Sequence, residues 1–364
     1  MQRIAIIALV LVACGSPPPP PTSESAAALP PVSVVSAEPE APQTMAAYEL
    51  HEWGVIDVPI SGELHVTSGP ERRILPPPVV GTAHARKPVI YVHLLDGAAE
   101  ATFGLRVTLA RGGAFRELSP QGTVTGETLA WSQIVARREH CDTNAHLNLP
   151  IVSGHPACDT VDHVCEAREL ALYDAPSAAC VTVGDETAGL LFYRAASPAS
   201  ALPITATRAA DLTLSVTANA SLVGSSGGLL RISHSLAGRS VPAAMTIARA
   251  AFPTVLATVT IAAPTDPLVR ADAISELRRG LTERGLSDDE ASAFLTAWDC
   301  ELFGTDPTLP AHAGTVLHPL VDSLLYFLPP GAVDGVARLD ATPPPRAVHR
   351  AFLVRVDLGA VPTD

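Results

Sequence analysis

His51 and Glu52 are the first residues whose types invite chemistry, adjacent in the run Leu50-His51-Glu52-Trp53-Gly54-Val55-Ile56-Asp57-Val58. A His-Glu pair opens the zinc-hydrolase motif, in which a helix brings a second histidine round to the same metal. Here the second-histidine position is apolar and the run mixes Trp with β-branched residues, which predicts a strand. Successive strand residues point to opposite faces, so a regular strand separates the two side chains. His51 and Glu52 remain the catalytic candidates of this chain, and a buried, paired polar side chain is the structural alternative for each.

The second concentration of reactive side chains is Cys141, Cys158, Cys165 and Cys180, interleaved with His140, His146, His155 and His163. Two disulfides among the four cysteines are one expectation, and three pairings are open. A structural zinc site using side chains such as His163 and Cys165 is the alternative. It is disfavoured because no C-x-x-C pair occurs. Cys300 is left over as a free thiol. The string Gly224-Ser225-Ser226-Gly227-Gly228 fits G-x-S-x-G, but Leu229-Leu230-Arg231-Ile232-Ser233-His234 after it reads as a strand, where a nucleophile elbow needs a helix. A hairpin turn is the simpler use of those glycines, and Ser226 is not assigned as a nucleophile. His65, His84, His93, His312, His318 and His349 show no ligand spacing.

The compartment is read at the other end of the sequence. Arg3 leads the apolar run Ile4 to Val12, and Leu11-Val12-Ala13-Cys14 has the form of a lipobox. Residues 1–13 are therefore expected to be a lipoprotein signal peptide, with Cys14 the lipidated mature N-terminus. The run is far shorter than the roughly 20 residues a spanning helix needs, so the acyl anchor would be the membrane attachment. Residues 14–47 carry Pro17 to Pro21 and then Pro30, Pro31, Pro39 and Pro42 among Ser, Thr, Ala and Glu, the composition of an unfolded tether. Gly15 after the cysteine resembles the outer-membrane sorting pattern, which implies an outer-membrane or cell-surface address in a Gram-negative envelope. Export also favours disulfides over free thiols.

The formal net charge is −13, and Lys87 is the single lysine beside 23 arginines. Without a basic cluster nucleic acid is excluded as a partner, as is a polybasic membrane patch. No Gly-rich loop lies between a strand and a helix, so no nucleotide and no cofactor is expected.

The elements that position these side chains are mostly strands. Leu50 to Val58, Val89 to Leu94, Leu105 to Leu109, Gly189 to Arg194, Leu212 to Thr217, Leu229 to His234, Val255 to Ile261 and Phe352 to Leu358 read as strands separated by turn signals. One section is helical. Asp266 caps a first helix with Pro267 at its first position, and Ala273, Ile274, Leu277 and Leu281 share a face. Gly285 ends it, and Ser287-Asp288-Asp289-Glu290 forms a capping box for a second helix with an Ala291, Phe294, Leu295, Trp298 and Leu302 stripe. The fold class is mainly β, an antiparallel sandwich or barrel-like set of sheets with an inserted α-helical hairpin, α+β overall. The domains predicted are a β-rich domain at 48–264, the helical hairpin at 265–304 and a C-terminal β segment at 305–364 that packs on the β-rich domain.

His51-Glu52-Trp53-Gly54 resembles the opening motif of a family of exported bacterial proteins, of myxobacterial and planctomycete type. Lys87-Pro88-Val89-Ile90-Tyr91, Leu190-Leu191-Phe192-Tyr193-Arg194, the stretch Gly285-Leu286 to Trp298, and Leu324-Leu325-Tyr326-Phe327-Leu328-Pro329 are similar to further blocks of it. Val55-Ile56 stand where the family usually has Thr-Phe. The resemblance implies one architecture across residues 48–358 and carries over no catalytic residue. The function expected is a membrane-anchored lipoprotein acting as a non-catalytic β-rich interaction or structural module of the cell envelope, with an envelope protein as its partner. The alternative is an exported hydrolase or metal-dependent enzyme with a site around His51, Glu52 and the Cys/His segment. Sugar binding is a third class, disfavoured by an aromatic content of 4%.

Overall fold

The computed structural model describes residues 47–58, 82–141, 173–198, 202–209, 212–218, 228–234, 245–254, 257–303 and 322–359. The strands run in chain order β1 (Tyr48–Val58), β2 (Thr82–Leu94), β3 (Glu100–Leu109), β4 (Ala114–Ser119), β5 (Thr123–Thr125) and β6 (Thr128–Arg137). They continue as β7 (Cys180–Val183), β8 (Glu186–Ala188), β9 (Leu191–Pro198), β10 (Ile204–Arg208), β11 (Leu214–Ala218), β12 (Gly228–His234), β13 (Met245–Ala251), β14 (Thr258–Ile261) and β15 (Asp266–Leu268). Helices α1 (Arg270–Thr282) and α2 (Asp288–Phe303) follow, then β16 (Asp322–Phe327), α3 (Pro330–Val336), β17 (Ala337–Thr342) and β18 (Val348–Asp357).

Among the described residues these strands make three sheets. A nine-stranded sheet has the order β15-β13-β12-β16-β18-β1-β2-β9-β4, a six-stranded one contains β17-β3-β6-β7-β8 with β5 on β6, and a three-stranded one is β10-β11-β14. Every pairing among the described residues is antiparallel except β1 with β18, and no sheet closes into a barrel, so the architecture is sandwich-like, β-rich and α+β. The C-terminal strands β16 and β18 lie inside the large sheet, with β18 beside β1.

Strand alternation divides the large sheet into two faces. Trp53, Val55, Val89, Tyr91, Leu325, Ala351 and Leu353 face one core with Ala273, Leu277, Leu281, Phe294 and Trp298 of the helical hairpin. Leu50, Ile90 and Val92 face the opposite way, toward Phe103, Leu105, Val107, Leu129 and Trp131 of the six-stranded sheet. Ile56, Leu324, Tyr326, Phe352 and Val354 pack with the three-stranded sheet and with Val333 and Val336 of α3. Each large apolar side chain buried in these cores contributes about 1.5–3 kcal/mol. That sum supports a layered body in which the large sheet is covered on both sides.

The helical hairpin forms with one correction. Asp266 and Pro267 belong to strand β15, paired with Ile247 and Thr246, and α1 starts only at Arg270 with Val269 as its cap. The edge position of β15 explains why Pro267 is tolerated there, since an edge strand can leave one side without a donor. The predicted stripe of the second helix is buried throughout: Ala291, Phe294, Leu295, Trp298 and Leu302 are at most 5% exposed.

The Gly54 of the His-Glu-Trp-Gly motif has a packing reason. The β1–β2 register shifts between Trp53 and Val55, and the β2–β9 register shifts between Ala85 and Val89. Pro88, which has no N–H to donate, sits in both irregularities. A Cβ on Gly54 would lie 2.8 Å from Phe352 Cε1 and 3.2 Å from the Pro88 Cα. Gly54→Ala is therefore expected to lower the urea midpoint by the equivalent of about 1–3 kcal/mol of overpacking. Phe352→Leu added to it should recover part of the loss. A Gly54→Ala midpoint equal to the parent's would show that the close approach is not needed.

Candidate functional site

The register of the central strands assembles a polar cluster at one end of the helix-covered face. Glu49 and His51 are two residues apart on β1 and share that face. Across the antiparallel ladder Glu49 pairs with His93 of β2, and across the parallel ladder His51 pairs with His349 of β18. The His51 ring centroid lies 4.2 Å from that of His93 and 4.8 Å from that of His349.

Glu290, on the first turn of α2, reaches down into this cluster. The predicted capping box forms: the Ser287 hydroxyl accepts the Glu290 amide at 3.2 Å, and the Ser287 amide donates to Glu290 Oε2 at 2.7 Å. The same carboxylate binds His51 Nδ1 through Oε2 at 2.8 Å and His93 Nε2 through Oε1 at 2.7 Å, and its side chain is fully buried. Burial pushes the Glu290 carboxyl up, but the hydrogen bonds and charges of His51 and His93 outweigh it and bring the group down from 4.5 to about 2. Glu290 is therefore a carboxylate that can only accept, so each histidine presents it an N–H. Whenever the His51 ring is neutral, that bond fixes the tautomer with the lone pair on Nε2. His51 Nε2 is buried and has no hydrogen-bond partner among the described residues.

His349 is held from the hairpin side. Its ring makes a hydrogen bond to the Arg284 backbone, and burial followed by the nearby His51 charge pushes it below the ordinary histidine value. Gly285 has φ +88°, and a Cβ there would collide with the His349 ring. The turn between α1 and α2 thus needs a glycine both for its left-handed backbone and for the imidazole beneath it. Two overlapping donor sets result, Glu49 with His51 and His349, and His51 with His93 and Glu290, each with its donor atoms within 4.8 Å of one another. Imidazole and carboxylate donors of this kind can bind a divalent metal or move a proton.

Glu52 lies on the opposite face and belongs to another network. Arg350, its register partner, donates from Nε to Glu52 Oε2 at 2.6 Å, from Nη1 to Asp334 at 2.7 Å and from Nη2 to the Ala337 carbonyl at 2.7 Å. The Tyr193 hydroxyl donates to Glu52 Oε1 at 2.8 Å, and burial plus the Glu52 charge holds that phenol well above its ordinary value. Glu52 and Arg350 are both buried with their polar atoms engaged, a structural pair at the junction of the two cores beneath the sheet. The structure thus does not bring His51 and Glu52 together. His93 and His349, which have no ligand spacing in sequence, are brought to His51 by strand register instead. Glu290 was legible as a cap, but nothing local in sequence points its carboxylate at two histidines.

Of the four disulfide candidates, Cys141 and Cys180 are bonded to each other, joining the segment after β6 to the start of β7. Cys158, Cys165 and His163 lie outside the described residues, as do Cys14 and Ser226. Among the described residues no helix is long and apolar enough to cross a membrane. No protein-family model matches the chain, and no curated protein matches it either.

The bridge and the buried carboxylate can each be measured. Closing 39 residues of chain separation, the bridge is expected to contribute up to about 4 kcal/mol on chain-entropy grounds. Alkylation before reduction should leave Cys141 and Cys180 unmodified in a peptide mass map, and labelling of either in unreduced protein would contradict the pairing. The Glu290 carboxyl has its folded value below its ordinary one, so its contribution is complete above about 4.5 and is lost as pH falls toward about 2. In chelator-treated protein, on the order of 3 kcal/mol of stability should disappear across that interval. Glu290→Gln should be less stable at neutral pH and show a flatter acid limb. An unchanged acid limb in that variant would rule out Glu290 as the group responsible.

Proposed function

We propose that this protein is an exported lipoprotein, anchored at the outer membrane or cell surface through Cys14, whose β-rich body serves as a non-catalytic interaction or structural module of the cell envelope. The observation that carries the anchor is Leu11-Val12-Ala13-Cys14 behind Arg3 and an apolar run, followed at once by the proline-rich 15–47 stretch. A tether of that composition, extended at up to about 3.1 Å per residue, would let the body meet a partner well away from the lipid surface. Support for the module reading comes from Glu52. The carboxylate that a hydrolase reading would give to His51 is committed to Arg350 and Tyr193 on the other face.

A second reading, a metal-dependent enzyme, is favoured by one observation: His51 and His93 bond a buried, ionised carboxylate, and His349 lies edge-on to the His51 ring. In that reading Glu290 takes the place of Glu52 as the acidic partner of His51.

Expression of the full chain in a Gram-negative host tests the anchor. The mature protein is expected to begin at Cys14, to carry acyl mass on that residue, and to partition into detergent. Cys14→Ala should remain in the aqueous phase. A mature chain that retains Met1, or one that starts elsewhere without acyl mass, would overturn the lipoprotein assignment. Turnover of ester, phosphoester or peptide substrates that is lost in His51→Ala would overturn the non-catalytic part and leave the anchor standing.

A further inference from the structure

We infer that Glu49, His51 and His349 form a binding site for a divalent transition-metal ion of the zinc class, with Glu290 as the group that orients its central ligand. The site goes beyond the module reading and rests on different residues, so either can fail without the other.

The unpaired nitrogen is the first support. Buried polar atoms normally find a partner, and His51 Nε2 has none among the described residues although its ring is otherwise fixed. Glu290 accepts the His51 Nδ1 proton at 2.8 Å, an arrangement that sets the tautomer and raises the basicity of the other nitrogen. In the neutral ring, the form that binds a metal, the atom left over carries a lone pair and is held in place by a buried carboxylate. Strand pairing supplies its companions: Glu49 stands two residues from His51 on β1, and His349 lies directly across from His51 on β18.

Distance is the second support. Glu49, His51 and His349 each bring a donor atom to within 4.8 Å of the other two. Zinc bonded at about 2.0–2.1 Å in a tetrahedral site holds its donors roughly 3.3 Å apart. Glu49 and His349 are only partly buried, and their side chains would have to rotate to close the difference. His349 is steadied on its far side by the Arg284 backbone and by the close approach of Gly285. Two imidazoles and one carboxylate suit zinc and its neighbours, and three protein ligands leave a fourth position for water or an incoming group.

The alternative set, His51 with His93 and Glu290, is already hydrogen-bonded together. Glu290 Oε2 takes both His51 and the Ser287 amide, while Oε1 takes His93. An ion bound through the nitrogens that face Glu290 would have to displace both histidine hydrogen bonds. The two sets are therefore successive shells of one centre, with Glu290 and His93 behind and the metal position in front of His51.

The test uses the full chain in detergent, stripped with chelator and titrated with Zn²⁺, alongside Co²⁺ as a spectroscopic probe. One equivalent of Zn²⁺ is expected per chain. Glu49→Gln and His349→Ala, both at partly exposed positions, should each weaken binding by about 100-fold or more, and Glu290→Gln by about 10–100-fold. The Co²⁺ form should show the d–d bands of a four- or five-coordinate nitrogen and oxygen site. Far-UV circular dichroism separates loss of binding from loss of fold, and His349→Ala still decides the question if His51→Ala does not fold. The inference is overturned by absence of uptake at excess Zn²⁺, or by binding unaltered in both Glu49→Gln and His349→Ala. It is equally overturned by a thiolate charge-transfer band in the Co²⁺ form, lost in Cys165→Ser or His163→Ala, which would place the ion in the Cys/His segment.

Discussion

The parallel pairing of β1 with β18 is the constraint on which the rest of the structure depends. It joins positions 298 residues apart in the chain, and it does so in a single register that matches side chains of opposite need. Glu52 meets Arg350, Asp57 meets Arg355 in a two-point contact of 2.7 and 3.0 Å, and Gly54 meets the Phe352 ring. A slip of one residue would send every side chain of β18 to the wrong face and leave four buried or half-buried charges unpaired. Buried ion pairs add little net stability, because desolvation offsets the attraction, whereas an unpaired buried charge costs several kcal/mol. In this sheet the ion pairs therefore act mainly to exclude wrong registers. The Arg231–Asp322 pair, fully buried at 2.6 Å between β12 and β16, extends the same device to the next strands.

The histidine cluster is a product of that register. His51 meets His349 only because Glu52 meets Arg350, since adjacent residues of one strand must be matched together. The helical hairpin then closes the cluster from above. Its two apolar stripes fix where α2 lies on the sheet, and the capping box fixes where the first turn begins. Glu290 is left pointing at the end of the sheet where Glu49, His51, His93 and His349 converge.

This architecture was legible in the sequence only where the signal is local and strong. Alternating Trp and β-branched residues gave eight of the eighteen strands among the described residues, helical periodicity gave the stripe from Ala291 to Leu302, and the spacing of Ser287 and Glu290 gave the cap. The short strands β4, β5, β7 and β8 carry too few alternating positions to announce themselves. Asp266-Pro267 imitated a helix start because cap chemistry and edge-strand chemistry use the same residues, and only the pairing with β13 distinguishes them. The site was legible only in its first member. His51 draws attention through its neighbour Glu52, but His93 and His349 become neighbours through non-local pairing, which has no local periodicity to announce it. Glu52 misled for the complementary reason: adjacency in sequence suggests cooperation, and in a strand it places two side chains on opposite sides of a sheet.

Glu290 serves two ends that are hard to separate by simple truncation. Removing its side chain deletes a helix cap, frees two imidazoles and opens a buried space at once, so lost binding and lost stability would arrive together. Replacement by glutamine keeps the volume and one acceptor while removing the charge. The amide can still accept the Ser287 N–H but cannot accept from both histidines as the carboxylate does. A structural lock predicts that this change weakens the attachment of α2 to the sheet in proportion to the hydrogen bonds lost. An orienting role predicts an added effect at His51 Nε2, on the far side of the ring, where Glu290 makes no contact. The distinction lies in the far nitrogen, because only an electronic and tautomeric influence carried through the imidazole reaches it.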